Sequence, residues 1–100
     1  MEAAKALLPR FIAKTTSEPA VLYYEFTING DEVFCREAYQ DAAGALAHLS
    51  SVGDLLTEML QSSDLIRVEV HGPAAELETM KAPLAHLPIA WFAFECGMDR

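Results

Sequence analysis

The sequence predicts a small α+β domain in which helices cover one face of an antiparallel sheet. One stretch has apolar residues at helical spacing, and the next alternates apolar and polar residues around a turn signal. Two later strand-like stretches are separated by a short helix. The helical stretch covers residues 3–14, and the alternating stretch covers residues 21–39. The later strands cover residues 65–70 and 89–95, with the short helix at residues 74–81 between them. One hundred residues suffice for one hydrophobic core and are too few for two, so we predict a single domain over residues 1–100.

The charge and composition exclude several classes of partner. The net charge is −8, from 15 acidic and 7 basic residues, and no stripe of lysine or arginine occurs. Because such a surface repels phosphate backbones, nucleic acid is not an expected partner. No apolar run approaches the ~20 residues that a membrane span needs, and charges interrupt the N-terminal apolar residues, unlike in a signal peptide. Cys35 and Cys96 lie in strand-like stretches and are predicted to be buried free thiols, which favours the cytoplasm.

The N-terminal stretch is predicted to be an amphipathic helix that carries one irregularity. Its apolar side is formed by Ala4, Leu7, Leu8, Phe11 and Ile12. Pro9 lies inside this pattern, so we expect it to kink the helix or to mark its start.

The alternating stretch is predicted to be a β-hairpin around Asn29-Gly30-Asp31. If Ile28 faces Val33, Glu25 lies opposite Arg36, and this favourable charge pair supports the register. The same register pairs Phe26 with Cys35, Tyr24 with Glu37, and Leu22 with Tyr39.

The rest of the chain alternates helices and strands. Asp41 is predicted to cap a helix that continues to Leu49, and a second helix is expected over residues 52–61. A strand follows at residues 65–70, and a short helix at residues 74–81. The last strand, Ile89 to Glu95, is apolar on both faces, which is typical of an interior position in a sheet.

The second face of the predicted sheet is also apolar. Val21, Tyr23 and Phe34 project from the side of the hairpin that the helices do not cover. A monomer would expose this patch to water. We therefore predict a two-fold homodimer with the sheets face to face.

Several stretches resemble the antibiotic-biosynthesis monooxygenase-like family. Ser17-Glu18-Pro19-Ala20 resembles the family's turn after the first helix, and Tyr23-Tyr24-Glu25-Phe26 resembles its second strand. Arg36-Glu37-Ala38-Tyr39-Gln40-Asp41-Ala42, leading to Ala47-His48-Leu49, resembles its most recognisable signature. The strand that ends in Gly72-Pro73 and the aromatic C-terminal strand resemble one subgroup. The resemblance implies a ferredoxin-like sheet that dimerises into an α/β barrel.

Two departures from the family pattern affect the expected fold. Ala20 stands where the family usually has glycine, which requires a different turn conformation. The family's first strand normally precedes the first helix, whereas this chain begins at the helix. Either that strand lies upstream, or the strand at residues 89–95 takes its place in the sheet, and we favour the second alternative.

The resemblance also implies candidate chemistry. Some members of the family oxidise phenolic or quinol substrates with dioxygen and no cofactor, and others degrade haem. The cofactor-free reaction needs a base that forms a phenolate and an apolar pocket that excludes water. Glu37 and Tyr39 are expected to project to the same side as Tyr24 and Phe26, which is the helix-covered face and an apolar setting. We predict Glu37 and His48 as the catalytic candidates, and Tyr24, Tyr39 and Trp91 as substrate-binding residues.

A structural role is the alternative for each of these side chains. His48 could bond a helix carbonyl, Glu37 could pair with a tyrosine hydroxyl, and the aromatic residues could belong to the core. No metal-ligand spacing occurs and no glycine-rich phosphate loop is present, so we expect no metal and no nucleotide cofactor. Haem ligation by His48 or His86 stays open, because a single axial ligand needs no motif.

Two functional hypotheses follow. The first is a cofactor-independent monooxygenase that acts on a small aromatic molecule. The second is a non-catalytic dimeric module that binds a small molecule or another protein. A cavity on which Glu37 and His48 converge would favour the first hypothesis, and a space filled by side chains would favour the second.

Overall fold

The computed structural model describes all residues, Met1–Arg100, as four helices and four strands. The elements are α1 (Glu2–Thr15), β1 (Val21–Asn29), β2 (Glu32–Tyr39), α2 (Ala42–Ser51), α3 (Gly53–Leu60), β3 (Val68–Gly72), α4 (Ala74–Lys81) and β4 (Ile89–Ala93). They form two compact units, Met1–Asp64 and Leu65–Arg100, each of which is described by itself. The predicted α+β class is confirmed, while the single domain stays a prediction. None of the helices has the length and apolar character needed to cross a bilayer.

Helix α1 confirms the predicted amphipathic helix and continues through Pro9. Its buried face includes Leu7 and Phe11, which are 5% and 3% exposed. Since proline lacks an N–H, the helix forgoes one backbone hydrogen bond at this point. The helix does not start there, because burial of its apolar face outweighs the local preference of one residue.

The β1–β2 hairpin confirms most of the predicted register. Ile28 pairs with Val33, and Glu25 with Arg36. Gly30 has a φ of 59° and is the first of two loop residues, which is the position where a type II′ turn requires glycine.

One predicted pair of the hairpin is wrong. Tyr39 pairs with Val21 rather than with Leu22, because the register shifts between Val21 and Tyr23. An extra residue in one strand of an antiparallel pair produces such a shift. Strict alternation along the sequence does not reveal it.

Helices α1 and α2 cover one face of the hairpin, and α3 packs against both of these helices. The predicted cap of α2 is confirmed, since the Asp41 carboxylate accepts a hydrogen bond of 2.8 Å from the Gly44 amide. The core cluster of this unit contains Leu7, Phe11, Val52 and Leu55, with Tyr24, Phe26 and Met59 packed against it. The side of β1 that carries Tyr24 and Phe26 is therefore the covered side, as predicted.

The second unit is a β3–α4–β4 unit whose strands are parallel. The expectation of one antiparallel sheet is wrong, because the chain forms two separate two-stranded sheets, β1–β2 and β3–β4. Parallel neighbours need a long crossover connection, and α4 provides it.

The strand boundaries of this unit also differ from the prediction. β3 begins at Val68 rather than at residue 65, and β4 ends at Ala93 rather than at Glu95. The hydrogen-bonded neighbour of β4 is β3 alone, so the interior position expected for this strand is not observed. Apolarity on both faces shows that a strand favours burial, but it does not select a pairing partner.

The close contact of α2 with the turn after α1 gives a stability prediction. A Cβ atom added at Gly44 would lie 2.7 Å from the Ala20 Cβ, whereas one added at Gly53 would meet nothing within 4 Å. We expect Gly44→Ala to destabilise the protein by about 1–3 kcal/mol through overpacking. Gly53→Ala, the matched control, should be neutral or stabilising by up to about 1 kcal/mol. Urea unfolding of both variants tests this, and equal effects would contradict it.

Candidate functional site

Four of the five predicted site residues lie together between the hairpin and α2. They are joined by two residues that the sequence did not single out for chemistry. We call this set the polar cluster: Glu18, Tyr24, Cys35, Glu37, Tyr39 and His48. The turn after α1 contributes Glu18, β1 contributes Tyr24, and α2 contributes His48. The other three residues, Cys35, Glu37 and Tyr39, lie on β2.

His48 is the most deeply buried polar side chain of the cluster, at 1% exposed. Its ring packs edge-on against Tyr24 at a centroid distance of 4.8 Å and lies tilted against Tyr39 at 5.4 Å. Its Nδ1 atom lies 3.3 Å from both carboxylate oxygens of Glu18. The alternative of a bond from His48 to a helix carbonyl is not observed.

The position of His48 follows from the packing of α2. Gly44 precedes it by four residues, so both lie on the same side of the helix. Because Gly44 has no side chain, that side approaches Ala20 closely. The Gln40 amide also donates to the Ala20 carbonyl at 2.9 Å, which ties the turn to the end of β2. The turn that carries Glu18 is thereby held against the imidazole.

The second ring nitrogen of His48, Nε2, makes no hydrogen bond within the chain. No buried side-chain nitrogen or oxygen of the structure lacks a partner. Because Nε2 has no partner and is not one of these fully buried atoms, it keeps part of the small accessible surface of His48. This atom is free to accept a proton from a bound molecule.

Glu37 occupies a different setting from the one expected. Its carboxylate is exposed, although β2 was predicted to place it on the covered face in apolar surroundings. Tyr39 donates its hydroxyl proton to Oε1, and the Cys35 thiol donates to Oε2 at 2.8 Å. A carboxylate is costly to bury, and here it keeps contact with water while its two strand neighbours supply hydrogen bonds.

The electrostatics keep the neighbours of Glu37 neutral. Burial raises the pKa of the Tyr39 hydroxyl well above its usual value, and the hydrogen bond to Glu37 raises it further. Burial also raises the pKa of Tyr24, and the negative charges that Cys35 and Glu37 can carry add to this effect. The pKa of the Cys35 thiol is raised by burial and by Glu37. All three groups therefore act as hydrogen-bond donors near neutral pH, and Cys35 is not a thiolate nucleophile.

A cavity of about 170 Å³ lies beside the polar cluster. It is lined by Ile12, Thr15, Thr16, Glu18, Val21 and Tyr24. Glu18 and Tyr24 belong to both the cavity and the cluster, so a molecule in the cavity would lie next to them. The volume is comparable to that of a site for one aromatic ring. The cavity is open to solvent and partly polar through Thr15, Thr16 and Glu18, and neither Glu37 nor His48 lines it, so the two predicted catalytic residues do not converge on a cavity.

The fifth predicted residue, Trp91, lies on β4 in the second unit, where it pairs with Val70. That unit carries an open depression of about 520 Å³ in which His71 stacks on Phe92 at 4.6 Å. Trp91 does not line this depression. His71 and His86 are both exposed.

The sequence missed Glu18 and Cys35 for different reasons. Cys35 shares a strand face with Glu37 two residues later, so period-two alternation could have indicated it. Glu18 lies 30 residues from His48, and no local pattern joins them. No group of three or more His, Cys, Asp or Glu side chains is arranged to hold a metal ion.

A solved structure shows the family of the chain. The crystal structure of MupZ from Pseudomonas fluorescens superimposes with a TM-score of 0.94 at 42% sequence identity. The match covers 99% of this chain and 82% of MupZ. This chain belongs to the same family as MupZ. No protein-family model matches the chain and no curated protein does, so the antibiotic-biosynthesis monooxygenase-like assignment stays a prediction for this chain.

The raised pKa of Tyr39 gives a prediction for alkaline stability in this member of the MupZ family. This shift stabilises the folded state fully below pH 10.0, which is the pKa of the Tyr39 hydroxyl in the unfolded chain. The stabilisation is lost as the pH rises above that value, because the hydroxyl then releases its proton in the unfolded state before it does so in the folded state. The loss is at most about 1.4 kcal/mol per pH unit, and solvent screening of the half-buried ring reduces it. We therefore expect Tyr39→Phe to flatten the decline of the unfolding free energy above this pH.

Urea unfolding at several alkaline pH values measures that decline. Tyr23→Phe is the matched control for loss of a hydroxyl, since Tyr23 lies on the uncovered face of β1 and is 50% exposed. A decline in Tyr39→Phe as steep as in the unmodified protein would contradict the prediction.

Proposed function

We propose that this chain is a small acid–base enzyme in which His48 takes a proton from the hydroxyl group of a small aromatic molecule. One observation carries the proposal. A fully buried imidazole, with one nitrogen bonded and the other free, lies between two tyrosines that stay neutral. Such a ring is placed to accept a proton, and imidazole gains and loses protons readily near neutral pH.

The geometry favours His48 over Glu37 as the base. Both oxygens of Glu37 already accept hydrogen bonds, from Tyr39 and Cys35, and its carboxylate faces water. Its role in the proposal is to orient the Tyr39 hydroxyl. Tyr24 and Tyr39 then provide ring faces and neutral donors for the bound molecule, whereas the substrate-binding role of Trp91 stays a prediction, because Trp91 belongs to the other unit.

The resemblance to the monooxygenase family suggests the reaction class. Removal of the hydroxyl proton converts a phenol or quinol to its phenolate, which transfers electrons to dioxygen. One oxygen atom then enters the ring to give a quinone, and the other leaves as water. The substrate supplies all the electrons, so the reaction needs neither a cofactor nor an external reductant. The single-ring volume of the cavity is compatible with this substrate class.

The lining of the cavity favours a second candidate function, because it includes neither Glu37 nor His48. Pockets for drug-sized molecules measure about 300–1,000 Å³, whereas the cavity beside Glu18 and Tyr24 measures about 170 Å³. A non-catalytic module that binds a small apolar molecule would have such a site. Proton transfer is the property that separates the two candidates.

We also propose a homodimer in the cytoplasm, with the uncovered face of the hairpin as the contact. Phe34 and Tyr23 lie on that face and are 63% and 50% exposed. Burial of such side chains against a second copy stabilises a dimer and would complete a ferredoxin-like barrel. Cys35 and Cys96 are both free thiols, which favours a reducing compartment. Their predicted burial is wrong for Cys96, which is exposed because it lies beyond the end of β4, and Cys35 is half-buried.

Oxygen uptake with a panel of phenols and hydroquinones tests the catalytic proposal. We expect turnover by the unmodified protein and a loss of kcat of about 10²–10⁴-fold in His48→Gln, because the base is removed. Glu37→Gln should reduce kcat by less than His48→Gln does, because the oxygen of the new amide can still accept the hydrogen bond from the Tyr39 hydroxyl.

His71→Gln is the matched control, since it removes an exposed histidine from the second unit. Activity that survives in folded His48→Gln would reject His48 as the base. Tight binding of a phenol without any turnover would establish the binding module instead.

Light scattering of the purified protein tests the homodimer. We expect a dimer that Phe34→Asp converts to a monomer, because a charge would be buried in the contact. Leu60→Asp is the control, since Leu60 is 40% exposed at the end of α3, away from that face. A monomeric unmodified protein, or a Phe34→Asp variant that stays dimeric, would contradict the proposed interface.

A further inference from the structure

We infer that Glu18 is a positioning residue that fixes the proton of His48 on Nδ1 and so keeps Nε2 available as the base. The catalytic meaning of this inference rests on the proposed function, whereas the position of the proton does not. The carboxylate of Glu18 and the imidazole of His48 form the only polar contact between the turn after α1 and the ring.

The contact determines the tautomer by its chemistry. A carboxylate only accepts hydrogen bonds, so the Nδ1 atom at 3.3 Å from both oxygens must carry a proton. In a neutral imidazole the other nitrogen then has a lone pair and no proton. His48 is 1% exposed, and the other groups that face it, Tyr24 and Tyr39, are neutral donors. Glu18 is therefore the one anion in contact with the ring.

The backbone around Glu18 holds the carboxylate in place. The Glu18 amide donates to the Thr15 carbonyl at 3.0 Å, and the Glu18 carbonyl accepts from the Val21 amide at 3.2 Å. Pro19 follows directly, and proline restricts the backbone of the residue before it. The side chain of Glu18 is 18% exposed, so few alternative rotamers are open to it. Preorganisation of this kind is what a positioning residue needs.

The same contact also assists when a proton is transferred to Nε2. The imidazolium that forms is buried, and an unpaired buried charge is costly. The Glu18 carboxylate compensates that charge without moving. Removal of Glu18 should therefore lower the rate of proton transfer more than the binding of the substrate.

Nuclear magnetic resonance of the imidazole nitrogens in the full chain tests the position of the proton. We expect Nδ1–H for His48 in the unmodified protein. Glu18→Met removes the acceptor at similar volume, so the proton should move to Nε2, and Glu18→Asp should restore Nδ1–H at least in part. Glu69→Met is the matched control, because Glu69 bonds the exposed His71 at 3.1 Å and should leave the signals of His48 unchanged.

Each outcome decides the inference. Nε2–H in the unmodified protein overturns it, even if the variants fail to fold. An unchanged tautomer in folded Glu18→Met also overturns it. If the protein turns over one of the tested substrates, we expect kcat for that substrate to fall by at least about 100-fold in Glu18→Met, while KM changes only a few-fold. A shifted tautomer with unchanged kcat rejects the positioning role. A shifted tautomer in a protein that turns over no substrate leaves Glu18 as the tautomer-setting residue and rejects the proposed function.

Discussion

The close approach of α2 to the turn after α1 is the constraint on which the candidate site depends. Gly44 provides the space for this approach, because any side chain there would meet Ala20. His48 lies one turn further along the same side of α2, and the turn carries Glu18. The distance between helix and turn thus determines the distance between imidazole and carboxylate. A packing contact with no chemistry of its own therefore sets the geometry of the polar pair.

The polar cluster separates its charges by environment. Glu37 keeps contact with water, while Tyr24, Tyr39 and Cys35 are held neutral by burial and by the carboxylate beside them. A buried carboxylate in place of these neutral donors would repel Glu18 and would have to find further partners. The arrangement leaves one imidazole ring, His48, with one nitrogen that makes no hydrogen bond within the chain. A binding module has no need of such a nitrogen, which is why proton transfer is the more specific proposal.

Membership of the MupZ family shows that this small chain is a variant of an established fold and not an isolated one. The exposed aromatic residues of the hairpin, above all Phe34, are costly in a monomer in water. The same side chains are compatible with a face that packs against another copy. The proposed chemistry thus lies on the covered face of the hairpin, and the proposed association lies on the uncovered face.

The sequence by itself determined the features that depend on neighbours along the chain. The turn at Gly30 and the alternation around it define the hairpin register, and Asp41 defines the start of α2, because these signals act over a few residues. The covered face of β1 follows from the same alternation, and with it the place of Tyr24, Glu37 and Tyr39 on one side.

Only the tertiary structure decided the rest. The bulge near Val21, the parallel pairing of β3 with β4, and the exposure of Glu37 depend on what packs against each strand. The contact of Glu18 with His48 joins residues 30 positions apart, and it depends on how closely a helix can approach a turn. Local patterns specify which face of an element is apolar, but they carry no information about which distant side chain that face will meet.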